Sequence, residues 1–280
     1  MSSISVDLPS FIQYTALQGY ALAELGIKEA HTHGFSHWYI DLSLQSDTPD
    51  QWTIERIKNM QAVIQQYQIF PIMHGNYKLP LASDINVLRQ AAIEYTKSEI
   101  RLAQKMQAPL IIHGGAIVEP RLVKWVKKQA LDGFLESVKV LVDYAQSLGV
   151  TLWVENLSNY KNNHPFYYIF TMSEEFEYIL DRVPEVKFFL DIGHANIGNQ
   201  NIKQIIQTFH KRIIGVSISN NDGVRDQHRS LLNGTVNFSD IIQLFSHCQW
   251  SGYVGVEVRD MSPANVLMQL SELHNAVSIE

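Results

Sequence analysis

The sequence has little cysteine and little charge. Cys248 is the only cysteine among 280 residues, so an internal disulfide and a zinc site of several thiolates from one chain are excluded. Charged residues make up 18% of the chain against 46% hydrophobic residues, so a large core is expected and disorder is not. Lysine and arginine are scattered and the formal net charge is −6, which argues against nucleic acid as a partner, because phosphate binding favours a clustered basic surface.

Long apolar runs are also lacking. No stretch approaches the roughly 20 apolar residues of a membrane helix, and Met1–Tyr14 lacks a basic start followed by an apolar run. We therefore expect no signal peptide and no membrane partner, and we predict a cytoplasmic protein. A homo-oligomer is compatible with the sequence, although no pattern indicates one.

What the sequence does contain is a repeated unit, a short apolar run followed by a longer amphipathic stretch. Nearly continuous apolar strands that alternate with helices indicate a parallel sheet covered by helices. Eight such units are the number that closes into a barrel, so we predict an α/β fold, a single (β/α)8 TIM barrel domain over residues 1–280. The candidate strands are Ile4–Leu8, Trp38–Leu42, Phe70–Met73, Pro109–His113, Thr151–Glu155, Lys187–Asp191, Ile213–Ser219 and Tyr253–Val258.

The amphipathic stretches between these runs predict helices. A doubly wound open sheet is the competing architecture, but it usually has fewer strands and a glycine-rich phosphate-binding turn after the first strand. Pro9-Ser10-Phe11 follows the first candidate strand here, so that turn is missing. The candidate helices are Ala16–Lys28, Thr53–Gln68, Asp84–Met106, Arg121–Leu148, Ser173–Val183, Ile202–His210, Ser239–Ser246 and Pro263–Asn275.

Polar side chains stand where several of the candidate strands end. In a barrel these carboxyl ends converge on one rim. Carboxylates and histidines directed at one mouth are costly to bury unless a positive charge lies among them. A divalent cation supplies that charge, and nitrogen and oxygen ligands suit zinc, manganese, magnesium or iron. The residues concerned are His74, His113, Glu155, Asp191, His194 and Glu257.

A second cluster follows the seventh candidate strand. Asp226 and His228 are two residues apart, so an extended loop directs both side chains the same way, and with His194 they form a candidate further metal site. The alternative is a turn at Asn220-Asn221-Asp222-Gly223 followed by a salt bridge in the loop, since these residue types are typical of turns. Taken alone, this segment supports both interpretations.

In order and spacing, these motifs resemble strands 3 to 8 of the xylose isomerase-like TIM barrel superfamily. That superfamily groups sugar phosphate isomerases and epimerases with AP endonuclease family 2, the endonuclease IV type of abasic-site nuclease. The resemblance covers roughly residues 70–260. It is carried by His74-Gly75-Asn76-Tyr77, His113-Gly114-Gly115, Val154-Glu155-Asn156, Leu190-Asp191-Ile192-Gly193-His194, Arg225-Asp226-Gln227-His228 and Val256-Glu257.

The resemblance implies roles for these positions. In the epimerases, the glutamates at the positions of Glu155 and Glu257 bind one metal ion and exchange protons on opposite faces of the substrate. The position of Asp191 supplies a further ligand, and that of His194 contacts substrate oxygens. In the nuclease branch, the first of two zinc sites corresponds to His74, His113 and Glu155, and the second to His194, Asp226 and His228.

One position departs from the pattern of both branches, which carry a histidine ligand near the end of strand 7. Ser217 occupies that position here, and a serine hydroxyl is a poor ligand. The site of Glu155, Asp191 and Glu257 then has three carboxylates and no nitrogen, which favours a harder ion such as Mn²⁺ or Mg²⁺, or weaker binding. It also allows the working metal to lie at the histidine clusters.

The predicted function is therefore a metal-dependent isomerase or epimerase. It would abstract a proton next to a carbonyl of a small, polyhydroxylated, sugar-like substrate, with Glu155 and Glu257 as catalytic residues and Mn²⁺ or Zn²⁺, or else Mg²⁺, as cofactor. The alternatives are an abasic-site phosphodiesterase with a multi-zinc cluster, and a barrel that has lost its chemistry and binds a partner, which Ser217 favours. The predicted substrate contacts are His194, Arg225, Tyr77, Lys78 and Asn156.

Overall fold

The computed structural model describes residues 6–19, 22–115, 123–160, 167–198 and 200–277. Strands and helices alternate along the chain, as the repeated unit predicts. The strands are β1 (Ile12–Leu17), β2 (His37–Asp41), β3 (Phe70–His74), β4 (Leu110–His113), β5 (Leu152–Glu155), β6 (Lys187–Asp191), β7 (Ile213–Ile218) and β8 (Gly252–Val256). The helices are α1 (Ala23–Thr32), α2 (Ile54–Tyr67), α3 (Asn86–Met106), α4 (Val123–Ser147), α5 (Ser173–Arg182), α6 (Ile192–Asn196), α7 (Ile202–Phe209), α8 (Phe238–His247) and α9 (Pro263–Val277).

The eight strands form one closed parallel sheet. Each strand pairs with the next along the chain, and β8 pairs with β1, which closes the barrel. The register places His113 beside Glu155 on neighbouring strands, and Asp191 beside Ser217. The predicted (β/α)8 TIM barrel is confirmed.

The first strand is the exception, because the prediction of Ile4–Leu8 is wrong. Residues 6–8 lie outside any strand, residues 4 and 5 lie outside the described residues, and the strand is Ile12–Leu17 instead. The apolar alternation at Ile4–Leu8 is as regular as that of a true strand, but closure requires a segment that pairs on both sides. Leu17 pairs with Trp38 of β2 and with Val256 of β8. Since β1 extends to Leu17, the first helix begins at Ala23 rather than at Ala16.

Strands β2 to β8 begin and end within two residues of their predicted bounds. The helices α2 to α5 and α7 to α9 agree as closely, except that the predicted start of α4 at residues 121 and 122 lies outside the described residues. The short helix α6, directly after β6, was not predicted. Within the described ranges, none of the helices is long and apolar enough to cross a bilayer.

The barrel interior is filled by a layer of apolar side chains. Trp153 and Phe189 stack within it with ring centroids 5.6 Å apart and an interplanar angle of 5°. Side chains two residues apart on a strand point the same way, so Glu155 follows Trp153 and Asp191 follows Phe189 on the inner face. The polar residues at the rim therefore lie on a closed floor. The layer consists of Ala16, Tyr39, Ile72, Ile111, Trp153 and Phe189, with Ile214 and Tyr253 packed against it.

Replacing Gly26 with alanine is expected to destabilise the fold. Gly26 lies on α1 directly against the indole ring of Trp38 on β2, and a Cβ there would overlap the ring. Overpacking of this kind costs about 1–3 kcal/mol of unfolding free energy, which urea unfolding would measure.

Gly133→Ala is the matched control in another helix. The nearest atom to a Cβ at Gly133 is Nη1 of Arg89 at 3.0 Å, the end of a flexible side chain. Because alanine is the better helix former, the control should lose no stability. Equal unfolding midpoints for wild type and Gly26→Ala would contradict the packing of α1 on Trp38.

Candidate active site

A cavity of about 490 Å³ opens at the carboxyl ends of the strands. Its wall is built by residues from the strand ends and from the loops that follow them, as expected for the functional face of this fold. Of the eight predicted ligands, all of them described, seven line it and Asp191 does not. The predicted site residues in its lining are His74, Tyr77, Lys78, His113, Glu155, His194, Asp226, His228 and Glu257.

The first group of candidate ligands lies at the ends of β3, β4 and β5. Nε2 of His74 and Nε2 of His113 are each 3.6 Å from Oε2 of Glu155, and all three side chains are buried. Nδ1 of both histidines and Oε2 of Glu155 have no hydrogen-bond partner within the part of the chain that the structure describes. One ligand atom from each residue lies within 4.8 Å of the other two. This geometry could hold a metal ion.

The second group shares Glu155 with the first. One ligand atom each from Glu155, Asp191 and His194 again lies within 4.8 Å of the others. Asp191 ends β6 and caps α6, where its Oδ1 accepts a hydrogen bond of 2.5 Å from the backbone N–H of His194. Nδ1 of His194 lies 2.9 Å from the carbonyl oxygen of Asn156. The short helix α6 therefore turns His194 back towards Glu155.

The loop after β7 adds further candidate ligands, which connect these groups to the end of β8. Oδ2 of Asp226 lies 3.5 Å from Nε2 of His194 and 3.0 Å from Nε2 of His228. Nδ1 of His228 lies 3.7 Å from Oε2 of Glu257. Asp226 and His228 thus face the cavity, beside the predicted turn, in which Asp222 accepts hydrogen bonds from the N–H groups of residues 224 and 225.

Burial and neighbouring charges shift the carboxylates in opposite directions. Burial opposes ionisation of Glu155, but the neighbouring His113 and His74 outweigh this effect and lower its pKa. Burial together with the negative charges of Asp191 and Glu155 raises the pKa of Glu257 to about 8. Burial is also the main cause that raises the pKa of Asp191 to about 6. On this side of the cavity, burial and the neighbouring carboxylates outweigh the attraction of His194 for Asp191 and of His228 for Glu257.

The donor set fits a divalent cation. Imidazole nitrogens and carboxylate oxygens are ligands for zinc and manganese, and several of these atoms are buried with no hydrogen-bond partner among the described residues. A cation would neutralise the carboxylates that burial otherwise keeps protonated. The buried atoms without a partner are Nδ1 of His74, His113 and His228, Oε2 of Glu155, Oδ1 of Asp226 and Oε1 of Glu257.

The predicted substrate contacts divide into two groups. Tyr77 and Lys78 line the cavity, and Nζ of Lys78 donates a hydrogen bond of 3.1 Å to the carbonyl oxygen of Ser43. The side chain of Asn156 instead holds the backbone of Asp191, to which it donates at 3.0 Å and from which it accepts at 2.7 Å. Arg225 has a side chain that is 74% exposed and lies beside Asp222. Neither Asn156 nor Arg225 is among the described residues that line the cavity.

Some residues of the cavity were not predicted. Asp41 ends β2, and its Oδ1 lies 3.8 Å from Nδ1 of His74 and accepts a hydrogen bond of 2.9 Å from the N–H of Ser43. It follows an apolar run as the predicted ligands do, so the same rule would have found it. Gln18 and Arg259 also line the cavity. Gln18 was missed because the first strand was misplaced.

Comparison with known proteins agrees with this architecture. A family model described as xylose isomerase-like TIM barrel matches residues 27–274. Among curated proteins, the uncharacterized protein MJ1614 of Methanocaldococcus jannaschii is 28% identical over 163 residues, which are 58% of this chain and 60% of that protein. The chain thus matches less than two thirds of that relative's length.

Solved structures match over nearly the whole chain. A D-tagatose 3-epimerase-like protein superposes with a TM-score of 0.80 at 18% identity, covering 95% of this chain and 99% of that one. An AP endonuclease, family 2, from Brucella melitensis superposes with a TM-score of 0.70 at 17% identity, covering 92% and 98%. At these identities the likeness establishes a shared fold.

The stability of the metal-free protein is expected to depend on Glu257 and on pH. The pKa of Glu257 is about 8 in the folded protein against an ordinary value of 4.5. Between these two pH values, the folded state therefore binds a proton that the unfolded state lacks. The contribution of this residue to stability therefore falls as pH rises through that window. Glutamine does not ionise, so Glu257→Gln should gain stability relative to wild type as pH rises, by at most about 1.4 kcal/mol per pH unit.

Urea unfolding in the presence of a chelator, at pH values from about 5 to about 9, would measure this difference. Glu185→Gln, at an exposed position, controls for the loss of one formal charge. A stability difference between Glu257→Gln and wild type that stays constant with pH would show that Glu257 ionises normally.

Proposed function

Since the chain belongs to the xylose isomerase-like TIM barrel family, we propose that it is a metal-dependent isomerase or epimerase of a small polyhydroxylated carbonyl compound. The observation that supports this most is the placement of Glu155 and Glu257. They end β5 and follow β8, three strands apart in the barrel, so two buried carboxylates reach one cavity from different walls. Such a pair can reach a substrate from two sides.

The reaction requires a proton to leave the carbon beside a carbonyl and a proton to return to the same or the neighbouring carbon. One glutamate accepts the first proton as the C–H bond breaks, and the electron pair moves onto the carbonyl oxygen to form an enediolate. The other glutamate, in its acid form, delivers a proton to carbon as the carbonyl is restored. Return to the opposite face inverts the centre, and return to the neighbouring carbon gives the isomer.

The chain offers two overlapping positions for the cation. Glu155, Asp191 and His194 present mainly oxygens and suit Mn²⁺ or Mg²⁺, whereas His74 and His113 add nitrogens to Glu155 and suit Zn²⁺. Glu257 lines the same cavity. When bound, a divalent cation would polarise the carbonyl and stabilise the negative charge that develops on its oxygen.

The cavity supports a small molecule as the substrate. Its volume of about 490 Å³ suits a sugar-sized compound, and its lining combines aromatic rings such as Tyr77 and Tyr168 with hydrogen-bonding groups such as Gln18 and Ser158. Superposition on a protein named D-tagatose 3-epimerase-like supports a ketose as the first compound to test.

Replacing Glu155 or Glu257 with glutamine should abolish turnover while the fold remains. Loss of one general acid–base group lowers the rate by about 100-fold to 10,000-fold. The assay is epimerisation of D-tagatose and other ketohexoses with added Mn²⁺, followed by NMR in D₂O, which also reports exchange of the abstracted hydrogen. Glu185→Gln is the control at an exposed site. Near-normal turnover by both variants would disprove the assignment.

A second candidate function is cleavage at abasic sites in DNA. The observation that favours it is the assembly of one nitrogen- and oxygen-rich arc around Glu155. Superposition on an AP endonuclease, family 2, is compatible with it. Against it stand the net charge of −6 and the scattered lysines and arginines. The residues of the arc are His74, His113, Glu155, His194, Asp226 and His228.

A duplex that carries an abasic site is expected to stay intact when incubated with the protein and Zn²⁺, because the chain offers little to neutralise phosphates. Gel electrophoresis would detect incision at protein concentrations that turn over a ketose. Incision by wild type that disappears in His113→Ala would replace the epimerase proposal with the nuclease.

A further inference from the structure

Tyr39 crosses the barrel beneath the cavity. It lies on β2, is fully buried, and packs its ring 5.9 Å from that of His74 at an interplanar angle of 22°. Its hydroxyl reaches β8 at Gly255, where a Cβ would overlap the hydroxyl oxygen. Gly255 precedes Glu257 by two residues on the same face of the strand, so the hydroxyl lies on the floor below that carboxylate.

This hydroxyl is a polar group within a layer of otherwise apolar side chains. The residues beside it in the barrel interior are apolar, among them Ile72, Ile111 and Phe189. The hydroxyl has no hydrogen-bond partner among the residues that the structure describes. A buried hydroxyl without a partner costs free energy that phenylalanine would not incur, so a tyrosine here indicates an acceptor in the working protein.

The charges of three carboxylates act on the phenol, and Glu257 is the one that lies two residues after Gly255, which the hydroxyl approaches. Oδ1 of Asp191 accepts from the N–H of His194, and Oε2 of Glu155 faces two histidines. Oε1 of Glu257 is buried and, within the described ranges, has no partner. Burial raises the pKa of the Tyr39 phenol well above its usual value, and the charges of Glu257, Glu155 and Asp191 add to the effect, so the hydroxyl remains a donor.

We propose that Tyr39 is a positioning residue, whose hydroxyl donates a hydrogen bond to Oε1 of Glu257 when the site is loaded. The bond holds the glutamate in one orientation and leaves its other oxygen to the cation and the substrate. The proposed hydrogen bond requires glycine at position 255, because any side chain there would displace the hydroxyl. The inference rests on the proposed metal-dependent function and adds a residue from the barrel floor to it.

Tyr39→Phe removes the hydroxyl and keeps the ring. Loss of a hydrogen bond that orients a metal ligand weakens metal binding by about 10-fold to 100-fold. We therefore expect Mn²⁺ affinity, measured by electron paramagnetic resonance of free Mn²⁺, to fall by that factor. The urea midpoint of the metal-free protein should stay the same or rise, because a buried hydroxyl without a partner is removed.

Two further variants make the test specific. Tyr253→Phe removes the same atom from a tyrosine at the opposite end of the barrel interior and should leave Mn²⁺ affinity unchanged. In the double variant Gly255→Ala/Tyr39→Phe, the alanine methyl takes the space of the lost hydroxyl and lies 2.9 Å from Cζ of the ring, so the ring must shift slightly. The double variant should therefore fold and still bind Mn²⁺ weakly, which separates packing from hydrogen bonding even if Tyr39→Phe alone is unstable.

The outcomes distinguish the two proposals. Equal Mn²⁺ affinity in wild type, Tyr39→Phe and the double variant would overturn the role of Tyr39 and leave the proposed function intact. Equal weakening by Tyr253→Phe would also overturn it, since the effect would not depend on Glu257. A wild-type protein that binds neither Mn²⁺ nor Zn²⁺ would overturn the proposed function and this inference together.

Discussion

The site depends on balancing charge where water is largely excluded. Four carboxylates and four histidines meet in one cavity, and most of these side chains are buried. The histidines around Glu155 hold it in its ionised form, whereas burial and the charges of Asp191 and Glu155 let Glu257 keep its proton near neutral pH. A divalent cation on the side of Asp191 and Glu257 would complete the balance.

The barrel brings these polar groups together and supports them from below. Parallel strands in register bring successive strand ends to one rim, and the apolar layer beneath seals the cavity from below. Hydrogen bonds with the backbone then orient the ligands. The side-chain amide of Asn156 donates to and accepts from the backbone of Asp191. The Asp191 carboxylate caps α6, which carries His194. The positions of Asp191 and His194 are therefore set by the sheet and by one short helix.

The residues around Glu155 form two overlapping groups of candidate ligands. Glu155 belongs to both groups of candidate ligands, so one scaffold can favour an oxygen-rich or a histidine-rich cation site. Ser217 shifts the balance on the wall between β6 and β8 towards oxygen, and its hydroxyl is buried beside Asp191 in register.

The sequence alone determined most of the architecture and most of the arc. Seven strands, and residues such as His74, Glu155 and Glu257, could be predicted because an apolar run followed by a polar residue is a local sequence signal. Tertiary structure decided the rest. Barrel closure selected Ile12–Leu17 as the first strand, and contact between neighbouring strands occupied the Asn156 amide. The approach of Tyr39 to Gly255 joins distant parts of the chain, because a period of two tells which face a side chain takes and not what it meets there.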